Sequence, residues 1–172
     1  MSLLPVRKRQ NLVIVCTANI TRSPYIAHRL QAELESLNLL ERKLPKISSA
    51  GVYATPGLPA HPVLLTVMRL RGESLAGHLS QPFDDEVARY ADLVLTVEQS
   101  QTGTLLKQYP ALAGRVAPLL AYGRDPGWSG DTDILDPTGG DVEDYQNFLD
   151  IADSQAQRLR RLFSRDRVFP LP

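Results

Sequence analysis

The chain has a single cysteine among its 172 residues. No intrachain disulfide can form, so the fold must rest on a packed core. A lone thiol that serves chemistry suits a reducing compartment, and a cytoplasmic location is the expectation. Net charge is absent as well: 19 Lys and Arg balance 19 Asp and Glu. A chain without a basic excess lacks the electrostatic footprint of a dedicated nucleic-acid binder. No apolar run approaches the ~18–20 residues of a membrane span. Arg7-Lys8-Arg9 precedes a short apolar run, but Asn19, Thr21 and Arg22 interrupt it, so the basic cluster reads as a solvated lead-in and not as a signal peptide. Cys16 and the three histidines show no metal-ligand spacing, so no metal and no cofactor is expected. There is no Gly-x4-Gly-Lys loop, which argues against a kinase or NTPase. Neither a repeat nor a linker divides the chain. One domain spanning 1–172 is expected, with 1–10 as lead-in and 164–172 as tail.

The zero net charge is an average over unlike stretches. Residues 1–46 carry eight Lys and Arg against three Glu. Residues 125–153 carry nine acids and no Lys or Arg, and residues 154–172 carry five Arg against one Asp.

One stretch organises the rest. The apolar run Leu12-Val13-Ile14-Val15 reads as a buried parallel strand, and Cys16-Thr17-Ala18-Asn19-Ile20-Thr21-Arg22-Ser23-Pro24 follows it directly. Ser23 suits a helix N-cap and Pro24 the first helical position. The cysteine therefore sits at the carboxyl end of a strand, where open α/β sheets bind ligands, and the loop leads into a helix N-terminus, which attracts anions. Five residues between Cys16 and Arg22 suffice for a tight loop whose backbone N–H groups point inward as an anion nest. Thr17, Ala18, Asn19, Ile20, Thr21, Arg22 and Ser23 are thus candidate phosphate-binding residues, with the planar fork of Arg22 closing the ring. Asn19 tolerates the left-handed backbone that so tight a loop demands. In that field Cys16 is a candidate nucleophile for phosphoryl transfer, and the Ser23 hydroxyl can donate to its sulfur as it leaves.

Further along, apolar residues at Ile26, Leu30, Leu34 and Leu37 predict a helix that ends before Glu41-Arg42-Lys43-Leu44-Pro45, with His28 as a partly exposed member. Lys46 to Ala50 reads as a second strand leading into a loop with Tyr53, a candidate pocket wall. Pro62 opens a helix that Gly72 closes, and His61 before it reads as surface. A short helix is expected over Phe83 to Tyr90 and a third strand over Ala91 to Val97. A helix with Leu105, Leu106 and Tyr109 stops at Pro110, and a fourth strand runs from Arg115 to Leu120. The long loop 121–141 carries Trp128, read as cover for apolar surface, and Asp136-Pro137; loops of this length are often functional. Tyr145, Phe148, Leu149, Ala152, Ala156, Leu159 and Phe163 mark a strongly amphipathic last helix, whose basic end from Arg158 is expected to face solvent. Alternating strands and helices predict an α/β fold with a parallel sheet.

The segment Cys16 to Pro24 resembles the phosphate loop of the low-molecular-weight protein-tyrosine phosphatases, in a bacterial-type member. The resemblance runs from about Asn11 to Phe163. It includes Ser49-Ala50-Gly51, Gly72 through His78, Ala91-Asp92-Leu93-Val94-Leu95 and Asp136-Pro137. It implies a three-layer sandwich around a four-stranded parallel sheet of order 2-1-3-4. It implies catalytic roles for Cys16 as nucleophile, Arg22 on the phosphate and Asp136 as general acid. Ser23 and His78 would support the loop, and Thr138 would wall the pocket beside Tyr53. The expected substrate is a phosphotyrosine protein, such as a bacterial tyrosine kinase of exopolysaccharide assembly. No nucleic-acid or membrane partner is implied, and oligomeric state stays open. Where this family often has glycine the chain has Ala18, and where it often has a second cysteine the chain has Thr21. Two alternatives stand beside this reading. Arsenate reductase chemistry on the same fold needs further cysteines that the chain lacks. A catalytically weak phosphate-binding module would be signalled by Ala18.

Overall fold

Parallel pairing joins four strands in the order β2-β1-β3-β4. A computed structural model describes residues 10–37 and 45–165. The basic cluster 7–9, the end of the first predicted helix and the run 41–44, and the tail from 166 lie outside the described residues. In chain order come β1 (Asn11–Cys16), α1 (Arg22–Glu35), β2 (Lys46–Gly51), α2 (Pro62–Leu70) and α3 (Asp85–Tyr90). These are followed by β3 (Leu93–Thr96), α4 (Gln99–Gln108), a 3-10 turn at Pro110–Leu112, β4 (Val116–Pro118) and α5 (Val142–Arg165).

β1 is central because it is apolar on both faces. Leu12, Ile14 and Cys16 pack with residues of α1, α2 and α5, while Val13 and Val15 pack with residues of α3 and α4. The two-residue period of a strand sends alternate side chains to opposite faces, and the result is three layers, helices on either side of the sheet. The expected fold class and strand order are found. β1 pairs β2 with Cys16 opposite Gly51, and pairs β3 with Val15 opposite Thr96. Chain connections therefore leave β1 in opposite directions on its two sides, which opens a crevice at its carboxyl end.

α5 has the sharpest sequence signal, and its apolar stripe from Tyr145 to Phe163 is buried throughout. It packs along α1, and polar groups tie the two together. The buried Tyr25 phenol donates to Asp153 at 2.7 Å, and burial with that carboxylate raises its pKa strongly. Asp153 also meets Arg29 at 2.9 Å and Arg71 at 3.0 Å, so α1, α5 and the end of α2 share one carboxylate.

Three sequence expectations shift. The first helix begins at Arg22 with Thr21 as N-cap, because the Ser23 hydroxyl is engaged elsewhere. The third and fourth strands are shorter than expected, because the chain pairs with its neighbours only over Leu93–Thr96 and Val116–Pro118. The basic end of α5 is not uniformly solvated. Arg158 turns inward and donates to the carbonyls of Tyr122 and Leu119, both at 2.7 Å. Burial, then the nearby Arg124 and Arg161, lower its pKa. Arg158 thus caps the chain where β4 hands over to the long loop, while Arg161 is exposed. Arg158→Met should cost about 1–3 kcal/mol in urea unfolding by removing two hydrogen bonds from a charged donor, and Arg161→Met should fall within about 0.5 kcal/mol of the parent.

Candidate active site

The loop from Cys16 to Arg22 turns its carbonyls outward, and each one recorded has a donor waiting. Cys16 O accepts from Val52 N at 2.9 Å and Thr17 O from Tyr53 N at 2.9 Å. Ile20 O accepts from His61 N at 2.8 Å and Thr21 O from Tyr25 N at 3.4 Å. His78 Nε2 meets Asn19 O at 2.7 Å. With the carbonyls held by the surrounding frame, the N–H groups are left to the inner side, as an anion nest requires. The Asn19 N–H lies 3.2 Å from Cys16 Sγ.

Asn19 is the residue that lets the loop close. It is the one non-glycine with a positive φ among the described residues, at 56°, and it is fully buried. Its side-chain amide donates to Ser23 Oγ and Ser49 Oγ, both at 2.9 Å, and its side-chain oxygen accepts from Gln81 N at 2.9 Å. Those bonds offset the cost of the left-handed backbone and bind the loop to β2 and to the segment after α2. Ser23 Oγ stands 3.0 Å from Cys16 Sγ and also reaches Ala50 O at 3.2 Å. The thiol is buried, at the foot of the loop.

Arg22 is 2% exposed, and both terminal nitrogens of its guanidinium are engaged. Nη1 meets the Glu98 carboxylate and donates to Ile134 O at 2.9 Å. Nη2 meets Asp136 Oδ2 at 2.8 Å and Thr17 Oγ1 at 3.4 Å. Asp136, 42% exposed, therefore hangs at the mouth of the loop, and its other oxygen accepts from Thr138 N at 3.0 Å. A planar fork already aimed at an oxyanion can exchange that partner for a phosphate oxygen.

The remaining candidates fall as follows. Ala18 and Ile20 are half-buried in the loop, and Thr21 is buried with its hydroxyl 3.4 Å from that of Thr138. Tyr53 is 69% exposed beside the loop. Trp128 is half-buried under its own loop, with the Arg124 guanidinium 5.5 Å from its ring. His28 turns to Glu73 at 3.5 Å. His61, expected to be surface, instead stacks on Tyr145 and meets its hydroxyl at 2.8 Å through Nδ1. No group of His, Cys, Asp and Glu among the described residues could hold a metal ion.

Sequence reasoning passed over Glu98 and Gln101. Gln101 is buried; its oxygen accepts from Val97 N at 3.1 Å and Glu98 N at 3.2 Å, and its nitrogen donates to Thr17 Oγ1 at 3.2 Å. The available signal was position: both follow the carboxyl end of β3, next to β1. Gly51 was noted only as part of a motif. A Cβ there would stand 2.6 Å from Thr17 O and 2.9 Å from Asn19 N.

A cysteine at the foot of a loop closed by an arginine is an arrangement that can take a phosphate monoester and present it to a sulfur atom. Comparison with known proteins agrees with that reading. The family model for low molecular weight phosphotyrosine protein phosphatase matches residues 11–168, and the chain belongs to that family. A protein-arginine-phosphatase of Bacillus subtilis is 30% identical over 159 residues, spanning 91% of this chain and 99% of the relative. The low molecular weight protein-tyrosine-phosphatase Wzb of Escherichia coli is 27% identical, spanning 92% of this chain and 98% of the relative. Among solved structures, a low molecular weight protein tyrosine phosphatase from Bacillus subtilis superposes with a TM-score of 0.80 at 28% identity, over 92% of this chain and all (100%) of that one.

Gly51→Ala should push the loop out of shape. The expected outcome is a loss of about 1–3 kcal/mol in thermal or urea unfolding, as for other overpacked sites, with inorganic phosphate binding at least ~10-fold weaker by competition. Unchanged phosphate affinity would show that the contact with Thr17 and Asn19 is dispensable.

Proposed function

We propose that the chain hydrolyses phosphotyrosine in proteins through a cysteinyl-phosphate intermediate. The observation that carries this is the single guanidinium of Arg22, which closes the loop around Cys16 and holds Asp136 at its mouth. The ester's phosphate would take the place of the Asp136 carboxylate on Arg22, since two anions compete for one cation. The backbone N–H groups of Thr17 through Ser23 would hold the other oxygens. The Cys16 thiolate attacks phosphorus as the bond to the tyrosine oxygen breaks, and protonated Asp136 gives that oxygen its proton. In the second step Asp136, now a carboxylate, takes a proton from water as the water oxygen attacks phosphorus. The sulfur leaves with Ser23 Oγ donating to it, and inorganic phosphate is released. His78 braces the loop through Asn19 O, and Tyr53 and Thr138 flank the entering ring. No step calls for a cofactor. The proposed setting is the cytoplasm. The substrate class is phosphotyrosine proteins, with bacterial tyrosine kinases of exopolysaccharide assembly as candidates. No helix among the described residues is long and apolar enough to cross a membrane.

A second reading has one specific observation behind it: a relative of full length is a protein-arginine-phosphatase. The same two steps would then break a phosphorus–nitrogen bond. Matched peptides carrying phosphotyrosine or phosphoarginine separate the two, and a higher kcat/KM on phosphotyrosine is expected.

Asp136→Ala tests the chemistry. A tyrosine phenolate has a parent pKa of about 10 and needs a proton to leave. The burst of released phenol should slow by roughly 10²–10⁴-fold for a phosphotyrosine peptide and much less for an electron-poor aryl phosphate. Cys16→Ser should abolish both bursts. Equal slowing of the two substrates by Asp136→Ala would remove Asp136 as general acid.

A further inference from the structure

The segment that carries Asp136 has two ends, and different groups hold them. At its start, Ile134 N donates to Val97 O at 2.8 Å and Ile134 O accepts from Arg22. At its far end stands Thr138, an exposed residue whose hydroxyl is 3.4 Å from that of Thr21. Near both threonines stands Tyr145, on the first turn of α5. Its ring is fully buried, which raises the pKa of its hydroxyl, and the hydroxyls of Thr138 and Thr21 stand close enough to it to act the other way. The same hydroxyl meets His61 Nδ1 at 2.8 Å, with the two rings stacked at a centroid distance of 5.6 Å. His61 is itself anchored, because its backbone N–H donates to Ile20 O of the loop.

A buried phenol must find a partner, and here that partner, His61, and the two threonines close by all belong to segments around the catalytic centre. With Nδ1 as acceptor, Tyr145 donates to His61, and its oxygen is left to accept from the threonine hydroxyls. Helix α5 is pinned along its length to α1 by its apolar stripe. Tyr145 is therefore a fixed post, to which both the Cys16 loop and the Asp136 segment are tied.

We propose that Tyr145, through the cluster His61–Tyr145–Thr21–Thr138, is a positioning residue that seats the Asp136 segment against the Cys16 loop. It touches no substrate and acts through Asp136. The inference rests on the general-acid reading of Asp136. Catalysis of this kind is sensitive to small displacements of the acid, so loss of the phenol hydroxyl has a defined kinetic signature. The step that needs a proton slows, and the step that does not is spared.

The test is Tyr145→Phe, which keeps the ring, its burial and its stacking on His61. Phenol bursts are measured with a phosphotyrosine peptide and with an electron-poor aryl phosphate, in the parent and in an Asp136→Ala background. The expected result is a roughly 3- to 10-fold slower burst on the peptide, the kinetic equivalent of about one hydrogen bond, and less than about 2-fold on the activated ester. In the Asp136→Ala background Tyr145→Phe should change neither burst. His61→Phe removes the phenol's recorded partner while keeping an aromatic ring against it, and should reproduce the pattern, which keeps the inference testable if Tyr145→Phe does not fold. Equal slowing of both substrates, or the same loss in the Asp136→Ala background, would overturn the positioning role. If Asp136→Ala alone lacks leaving-group dependence, the general-acid reading itself has failed, and that is read separately in the parent background.

Discussion

The Arg22 guanidinium is a cation almost wholly out of water, and the site depends on how it is compensated. Burying a charge is costly unless acceptors surround it. Here they come from four places in the chain: Thr17 in the loop, Glu98 after β3, the Ile134 carbonyl and the Asp136 carboxylate. Each contact draws its segment toward the carboxyl end of β1. The cation that would hold a phosphate oxygen thus also gathers the Asp136 segment and the start of α4 around it.

The loop itself follows the opposite logic, in which the frame satisfies the carbonyls and leaves the N–H groups to the anion. Val52, Tyr53, His61 and His78 supply donors from outside. This works because β1 lies between β2 and β3, so segments leaving both neighbours pass within reach of its carboxyl end. Gly51 is where the approach is tightest, with β2 backbone against the loop. A side chain at that position would compete for the space in which Thr17 and Asn19 make their turn.

The departures from the family pattern that the sequence displays also have local explanations. Thr21, where the family often has a second cysteine, is buried and faces Thr138, so the position links the loop to the Asp136 segment by hydroxyl groups. Ala18 is half-buried in a loop whose one left-handed residue is Asn19, so the backbone asks for no glycine at position 18.

Much of this was legible from local chemistry. Leu12 to Val15 could only be a strand buried on both faces, and the stripe from Tyr145 to Phe163 could only be an amphipathic helix, because period and apolarity are properties of neighbours in the chain. The Cys16–Arg22 spacing likewise implies a loop that can ring an anion. Other features were decided by tertiary structure alone. Nothing near Glu98 or Gln101 marks them as partners of Arg22 and Thr17; contacts 76 and 84 residues apart exist only once β3 lies beside β1. Arg158 sits in a basic run that reads as solvated, yet the carbonyls of Leu119 and Tyr122, just after β4, draw it inward. His61 reads as surface because its partner is 84 residues away on α5. A local pattern determines which face of an element is apolar. Which polar groups meet is set by where the folded elements bring unsatisfied donors and acceptors together, and burial makes that pairing obligatory.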